Sequence, residues 1–192
     1  MPYGAEGSKI NAATLFFLEL VKISIIAGLT ISFVRYFLFK PFYVEGASME
    51  PNFQEHEYLI IDELSYRFHQ PRRGDTVVFR YPLNPAMHYL KRVIALPGDR
   101  IKIEDGVITL FNKANTEGKI FDQSFIKGVE TKGSIDLTLK EDEFFMMGDN
   151  RDNSYDSRRF GPVKKDLIVG RVLLRGWPFQ RFGLIANPAL GI

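Results

Sequence analysis

Residues 100–110 read RIKIEDGVITL, and this stretch decides the fold class. Apolar and polar residues alternate on both sides of Asp105-Gly106, and a period of two is that of a half-buried β-strand. An Asp-Gly pair between two alternating segments is typical of a tight hairpin turn, because both turn positions need a positive φ that these residues adopt at low cost. The stretch therefore predicts an antiparallel β-hairpin.

Seven further runs rich in Val, Ile, Phe and Tyr surround the hairpin, separated by glycine, proline and asparagine. They are FYVEG (42–46), EYLIIDEL (57–64), DTVVFRY (75–81), HYLKRVIAL (88–96), SIDLTL (134–139), DEFFMMG (142–148) and GRVLLRGW (170–177). Only residues 67–69 and 164–168 indicate short helical turns. The pattern predicts that residues 41–192 form one mainly-β domain of antiparallel strands, either barrel-like or made of two coiled sheets.

Residues 20–39 form an apolar span, LVKISIIAGLTISFVRYFLF, with Lys22 and Arg35 as its only charges. As a helix it would be about 30 Å long, which is one hydrocarbon thickness. We therefore expect residues 1–40 to be an N-terminal tail and a single transmembrane helix. The alternative is an amphipathic or buried helix, because the run without charges, 23–34, is short. Basic residues flank this run on both sides, so charge does not decide its orientation.

The composition of the 192-residue chain excludes several classes of function. The chain has no cysteine, which excludes disulfide scaffolds, thiolate zinc sites and cysteine nucleophiles. Four of the 25 basic and two of the 23 acidic residues lie in the first 40, so the remainder carries no net charge. A body without a basic excess lacks the electrostatic surface that binds nucleic acid.

Two segments supply a candidate nucleophile and base. In VEGASMEPNF (44–53), Ser48 stands beside small residues with an accessible hydroxyl, although such a turn is commonly only structural. In HYLKRVIALPGD (88–99), Lys91 interrupts an apolar strand and shares a face with Tyr89, while Arg92 lies on the opposite face. If Lys91 points inward, burial lowers its pKa towards about 8; on an edge strand it would point to solvent.

The third polar segment, GDNRDNSYDSRRF (148–160), predicts a loop that hydrogen-bonds itself through Asx turns. Asp156 can pair with Arg158 or Arg159. A calcium loop is disfavoured, because arginines oppose cation binding and no EF-hand helices flank the segment. His56, His69 and His88 lie in polar contexts and are interpreted as surface residues. The three segments together indicate a serine nucleophile, a lysine base and an orienting loop, which is the arrangement of Ser-Lys catalysis.

An ordered set of motifs resembles bacterial type I signal peptidases, membrane-anchored serine proteases that remove signal peptides from exported proteins. Behind the apolar span come GASMEP (46–51), RGDTVVF (73–79), YLKRVIALPGD (89–99), GDNRDNSYDSR (148–158) and RGWPF (175–179). The resemblance covers about residues 20–182. The segment between the lysine motif and GDN is short, which implies a minimal member of the family.

The resemblance implies a role for each matching residue. Ser48 would be the nucleophile and Lys91 the general base, while the Ser154 hydroxyl would hold the lysine ammonium. An Asp156–Arg158 ion pair would fix the last loop, and Asp149 would pair with Arg92. The counterparts of six residues would line shallow pockets for small side chains at substrate positions −1 and −3: Phe42, Val44, Met49, Phe53, Tyr89 and Leu90.

Gly46 departs from the pattern of many family members, which carry a serine there as an oxyanion donor. We therefore expect the Ser48 N–H, alone or with water or another backbone donor, to hold the oxyanion. The resemblance implies signal peptides of secreted preproteins and the lipid of the cytoplasmic membrane as partners, no cofactor or metal, and a catalytic body on the extracytoplasmic side. The oligomeric state stays open.

Two alternatives remain at the level of sequence. A self-cleaving repressor-type peptidase shares the Ser-Lys dyad but needs a DNA-binding domain where this chain is apolar. A membrane-anchored β-domain without activity, acting as a scaffold, would not need both Ser48 and Lys91 in intact motifs.

Overall fold

The structure is a computed structural model that describes residues 11–37, 39–126, 130–188 and 190. The chain divides after Leu38 into two units, close to the predicted boundary at residue 40. The first unit contains one long helix, α1, Ala12–Phe37. Its apolar window, Ala12–Ser32, is long enough to cross a membrane, and none of that window is buried in the protein.

The predicted bounds of the apolar span need correction. The helix begins at Ala12 rather than Leu20, because residues 12–19 continue the apolar pattern with Glu19 as their only charge. It ends at Phe37, and Phe39 already belongs to the first strand. Pro41 disfavours helical geometry at the residue before it, which agrees with a helix end close to this point.

In the second unit, from Phe39 onwards, the described residues form twelve antiparallel strands and a few short helical turns. The strands are β1 Phe39–Tyr43, β2 Tyr58–Asp62, β3 Thr76–Tyr81, β4 Asn84–Ala95, β5 Arg100–Glu104, β6 Val107–Asn112, β7 Asn115–Ile120, β8 Ile135–Thr138, β9 Glu143–Met147, β10 Val163–Lys164, β11 Ile168–Trp177 and β12 Gly183–Leu184. The α-helical turns are α2 Ser65–Phe68 and α3 Ser157–Phe160, and the 3-10 turns are Ser124–Ile126, Lys165–Leu167 and Phe179–Arg181. The mainly antiparallel β fold behind an apolar helix is confirmed.

The strands form two sheets rather than one closed barrel. The larger sheet has the order β1-β2-β11-β3-β4-β9-β10, with β12 added on β11, and the smaller has the order β7-β6-β5-β8. The predicted hairpin joins β5 to β6, and Asp105 and Gly106 at its tip have φ values of 49° and 80°. The short segment between the lysine motif and GDN therefore contains the whole smaller sheet, followed by β9 of the larger one.

Strand β4 lies inside the larger sheet, paired with β3 on one edge and β9 on the other. Its residues from Leu90 to Ala95 are all buried. Leu90 joins a core cluster with Met49 and Val44, whereas Val93 packs in a different cluster. Alternation thus holds around Lys91, and because this residue is buried, the alternative in which it points to solvent is wrong.

Candidate active site

Ser48 lies on the loop that follows β1, half-buried at the start of a short turn. The loop is tied at its start, where the Val44 N–H donates to the Glu57 carbonyl at 2.9 Å and the His56 N–H donates to the Val44 carbonyl at 2.9 Å. Gly46 has a φ of +80°, a conformation that L side chains rarely adopt. A serine at this position would be strained, which explains why the chain carries glycine here.

Lys91 reaches Ser48 from β4. Its Nζ lies 2.7 Å from Ser48 Oγ and 2.9 Å from the Leu90 carbonyl, and the residue is only 4% exposed. Burial lowers the pKa of Lys91 to about 8, against the opposing charges of Asp156 and Asp149. A lysine with that pKa is neutral in about a tenth of the molecules at pH 7 and in about half at pH 8, and a neutral amine can accept the proton of a serine.

The loop that begins at Gly148 holds the Ser48 segment from the side. The Asn150 N–H donates to the Ser48 carbonyl at 3.1 Å, and Asn150 Nδ2 donates to the Ala47 carbonyl at 3.0 Å. A Cβ on Gly148 would lie closer to Ser154 Oγ and to the Ser48 carbonyl than real Cβ atoms come. The sequence analysis did not assign Asn150 to the site, although its position in the GDN motif could have indicated a role there.

Arg92 and Asp149 form the predicted ion pair. Arg92 Nε donates to Asp149 Oδ1 at 2.8 Å and Nη2 donates to Oδ2 at 2.6 Å, with both side chains buried. Asp149 Oδ2 also accepts from Asn52 Nδ2 at 2.9 Å. The pair therefore joins the lysine strand, the GDN loop and the segment after Ser48.

Asp156 is fully buried and organises the end of the same loop. It pairs with Arg158, whose Nε lies 2.8 Å from Oδ1, and accepts from the Gly148 N–H at 3.0 Å. Burial alone would raise the pKa of Asp156, but the bonds and charge of Arg158 dominate and hold it below its usual value. Asp156 also caps α3 by accepting from the Arg158 N–H.

The expected bond from Ser154 to the Lys91 ammonium is not formed. Ser154 Oγ is buried and has no hydrogen-bond partner among the residues that the structure describes. The Lys91 ammonium is already held by Ser48 Oγ and the Leu90 carbonyl, while Ser154 packs against the backbone of Gly148. In this structure Ser154 lies against Gly148 and close enough to Asp156 to help lower the pKa of that carboxyl, rather than binding the lysine.

A cleft of about 470 Å³ opens over the dyad between β1 and β4. Five of the six predicted substrate-binding residues line it: Phe42, Val44, Met49, Tyr89 and Leu90. Phe53 is not among its lining residues; it is 2% exposed in the core, with Arg175 stacked on its ring. The prediction for Phe53 is therefore corrected, because its side chain turns away from the cleft. The cleft also contacts residues that sequence reasoning did not select for it: Pro41, Tyr43, Glu45, His88 and Tyr155.

The Ser48 N–H is one of several backbone donors of this loop that have no acceptor among the described residues. The Gly46 N–H is occupied, because it donates to Glu55 Oε1 at 2.9 Å.

The three histidines lie at the surface. His56, His69 and His88 are all exposed, and His56 Nδ1 is hydrogen-bonded to the Tyr43 hydroxyl at 2.5 Å. Within the described ranges no group of His, Asp or Glu residues has the arrangement of a metal site.

Comparison with known proteins identifies the family to which the chain belongs. Residues 17–177 match the family described as signal peptidase, peptidase S26. The chain belongs to this family. Relatives include a probable signal peptidase I-2 from Synechocystis, 34% identical over 90% of this chain and 78% of that protein. A signal peptidase I from Bacillus caldolyticus is 37% identical over 82% of this chain and 90% of that protein.

A solved structure is also similar in part. The crystal structure of a signal peptidase I from Enterococcus faecalis V583 is 26% identical and covers 54% of this chain and 97% of that chain, with a TM-score of 0.46. On the family match and the sequence relatives, the activity of this chain is that of a signal peptidase I, a serine endopeptidase. With α1 it is a membrane-anchored protein.

Proposed function

We propose that Ser48 is the nucleophile and Lys91 the general base of a peptidase that removes signal peptides from exported preproteins. The observation that carries this is the 2.7 Å contact between Lys91 Nζ and Ser48 Oγ in a buried setting. Neutral Lys91 takes the Ser48 proton as Oγ attacks the scissile carbonyl. The resulting ammonium then protonates the leaving amine, which leaves an acyl-enzyme.

Hydrolysis of the acyl-enzyme reuses the same groups. Neutral Lys91 removes a proton from an entering water, the hydroxide attacks the ester carbonyl, and the ammonium returns the proton to Ser48 Oγ. In both halves of the reaction the oxyanion needs donors, and the Ser48 N–H, which has no acceptor among the described residues, is available as one of them. The Asp149–Arg92 and Asp156–Arg158 pairs hold the GDN loop against Ser48 without touching the reacting atoms.

The substrate enters as an extended strand. β1 is the last strand of its sheet, and β4 is paired with β9 only from Arg92 onwards, so residues 88–91 keep an edge open towards the cleft. An extended peptide lying between these edges can pair its backbone with both and project alternate side chains into the pockets. The membrane anchor, together with the location of exported preproteins, supports an extracytoplasmic position for this body at the cytoplasmic membrane.

The test is cleavage of a preprotein with an alanine-x-alanine site by the full chain in detergent. Replacement of Ser48 by Ala, or of Lys91 by Ala, Arg or His, should abolish turnover with little change in the melting temperature. Arginine cannot serve because it stays protonated at working pH. Ser134→Ala and Lys113→Ala, both at exposed sites, are the matched controls and should keep full activity.

The outcomes separate the alternatives. Substantial turnover by Lys91→Arg would contradict the dyad. A wild-type chain that leaves the substrate uncut and behaves like Ser48→Ala would indicate the scaffold alternative. A wild-type chain that cuts only itself would indicate the self-cleaving one.

A further inference from the structure

Glu57 is a buried carboxylate that has no role in the proposed catalytic mechanism. It is 1% exposed and lies directly before β2. Two arginines from the C-terminal part of the chain neutralise it: Arg175 Nε donates to Oε2 at 2.7 Å and Arg181 Nη1 donates to Oε1 at 2.5 Å. A buried carboxylate with two guanidinium partners is strongly fixed in place, since loss of a partner leaves an uncompensated charge.

Both arginines also bind the segment that follows Ser48. Arg175 Nη2 donates to the Asn52 carbonyl at 2.6 Å, and Arg181 Nη2 donates to the same oxygen at 3.1 Å. One main-chain carbonyl therefore accepts two charged donors, which are stronger than neutral ones. The side chain of Asn52 is tied in turn to Asp149.

Glu57 holds the segment before Ser48 as well. Its main-chain carbonyl accepts the Val44 N–H at 2.9 Å. A single residue thus fixes both flanks of the Ser48 loop, Val44 through its backbone and Asn52 through the two arginines. The ring of Phe53 lies under the Arg175 guanidinium at 5.3 Å, which limits the positions that this side chain can take.

We infer that Glu57, Arg175 and Arg181 form a positioning cluster that sets Ser48 Oγ at its distance from Lys91. This inference rests on the proposed role of Ser48 as nucleophile. None of the three residues touches Ser48 or Lys91, so they act through the loop ends. A displacement of the nucleophile of about 1 Å can cost on the order of a hundredfold in rate, so the loop ends need this rigidity.

The test replaces one arginine of the cluster in the full chain. Arg175→Met keeps an apolar stem over Phe53 and removes the donors to Glu57 and Asn52. Arg73→Met is the matched control, because Arg73 is equally buried, pairs with Asp99 at 2.9 Å and donates to the Ile94 carbonyl at 2.8 Å. Both variants lose a largely buried ion pair and one bond to a main-chain carbonyl, but only Arg175 contacts the Ser48 loop.

For Arg175→Met we expect kcat to fall at least about tenfold, with KM and the pH limb of kcat unchanged, since the cleft walls and the burial of Lys91 stay intact. Arg73→Met should lose a similar amount of melting temperature and keep its kcat. Arg175→Lys, which keeps the charge but lacks the fork that serves two acceptors, should lie between wild type and Arg175→Met.

Three outcomes would overturn the inference: equal loss of kcat in Arg175→Met and Arg73→Met, an unchanged kcat in Arg175→Met, or a shift of the pH limb that reports hydration of Lys91. If Arg175→Met does not fold, Arg181→Met decides by the same criteria, because Arg181 is more exposed and its loss leaves the Arg175–Glu57 pair in place. Ser48→Ala is assayed beside these variants. Activity in Ser48→Ala would refute the proposed nucleophile itself, whereas an inactive Ser48→Ala beside unaffected cluster variants would refute only the positioning role.

Discussion

The Lys91 amine decides how the rate depends on pH. Burial lowers its pKa to about 8, and only the neutral amine has a lone pair to accept the Ser48 proton. Activity should therefore be low where the ammonium dominates, rise with pH through about 8, and level off above it. The measurement is kcat from about pH 6 to about pH 10.

Two results would contradict this assignment of the base. One is a kcat that does not change with pH, and the other is a rise in kcat centred near the ordinary pKa of histidine, about 6.5. His88→Asn is the control for the second result, because His88 is the exposed histidine that lines the cleft. The position of the limb should be the same in this variant as in the wild type.

At the scale of elements, the turn after β9 is shaped by a close approach at Gly148. An added Cβ would collide with Ser154 Oγ and with the Ser48 carbonyl. Gly148→Ala should therefore displace the Ser48 loop and lower kcat/KM at least about tenfold, with a loss of melting temperature from the crowding. Gly183→Ala is the matched control, because nothing lies within 4 Å of its added Cβ. Equal activity in the two variants would show that the turn does not set the position of Ser48.

The sequence predicted those elements whose local pattern is strong. The β5–β6 hairpin followed from Asp105-Gly106, because its turn chemistry is local, and the burial of Lys91 followed as one of two alternatives from its apolar neighbours. Strand β7, NTEGKI, was missed because it is polar and partly exposed, so its pairing with β6 is decided by the hairpin it continues. Contacts such as those of Arg175 and Arg181 with the Asn52 carbonyl join residues far apart in sequence, and no local pattern reports them.

At the scale of the whole molecule, the cleft exists because the larger sheet bends back on itself. β1 and β4 both line it, although β2, β11 and β3 separate them in the sheet. Its apolar walls include side chains that also form the core: Val44 and Met49 from the loop after β1 and Leu90 from β4 are all less than a tenth exposed. Walls that are part of the core cannot move aside without disturbing the packing of the sheet.

This rigidity predicts which substrates are cut. A bulky side chain at position −1 must displace packed walls, and overpacking costs about 1–3 kcal/mol, which is about ten- to a hundredfold in rate. We expect alanine or glycine at −1 and small or short aliphatic residues at −3. The measurement is kcat/KM for a substrate series varied only at −1, with the same substitutions at −2 as the control.

In an extended peptide the −2 side chain points away from the pockets that receive −1 and −3, so leucine should be tolerated at −2. Cleavage of a −1 leucine or phenylalanine substrate as fast as the alanine one would show that the walls over Ser48 do not select the residue at −1, whatever the role of the dyad.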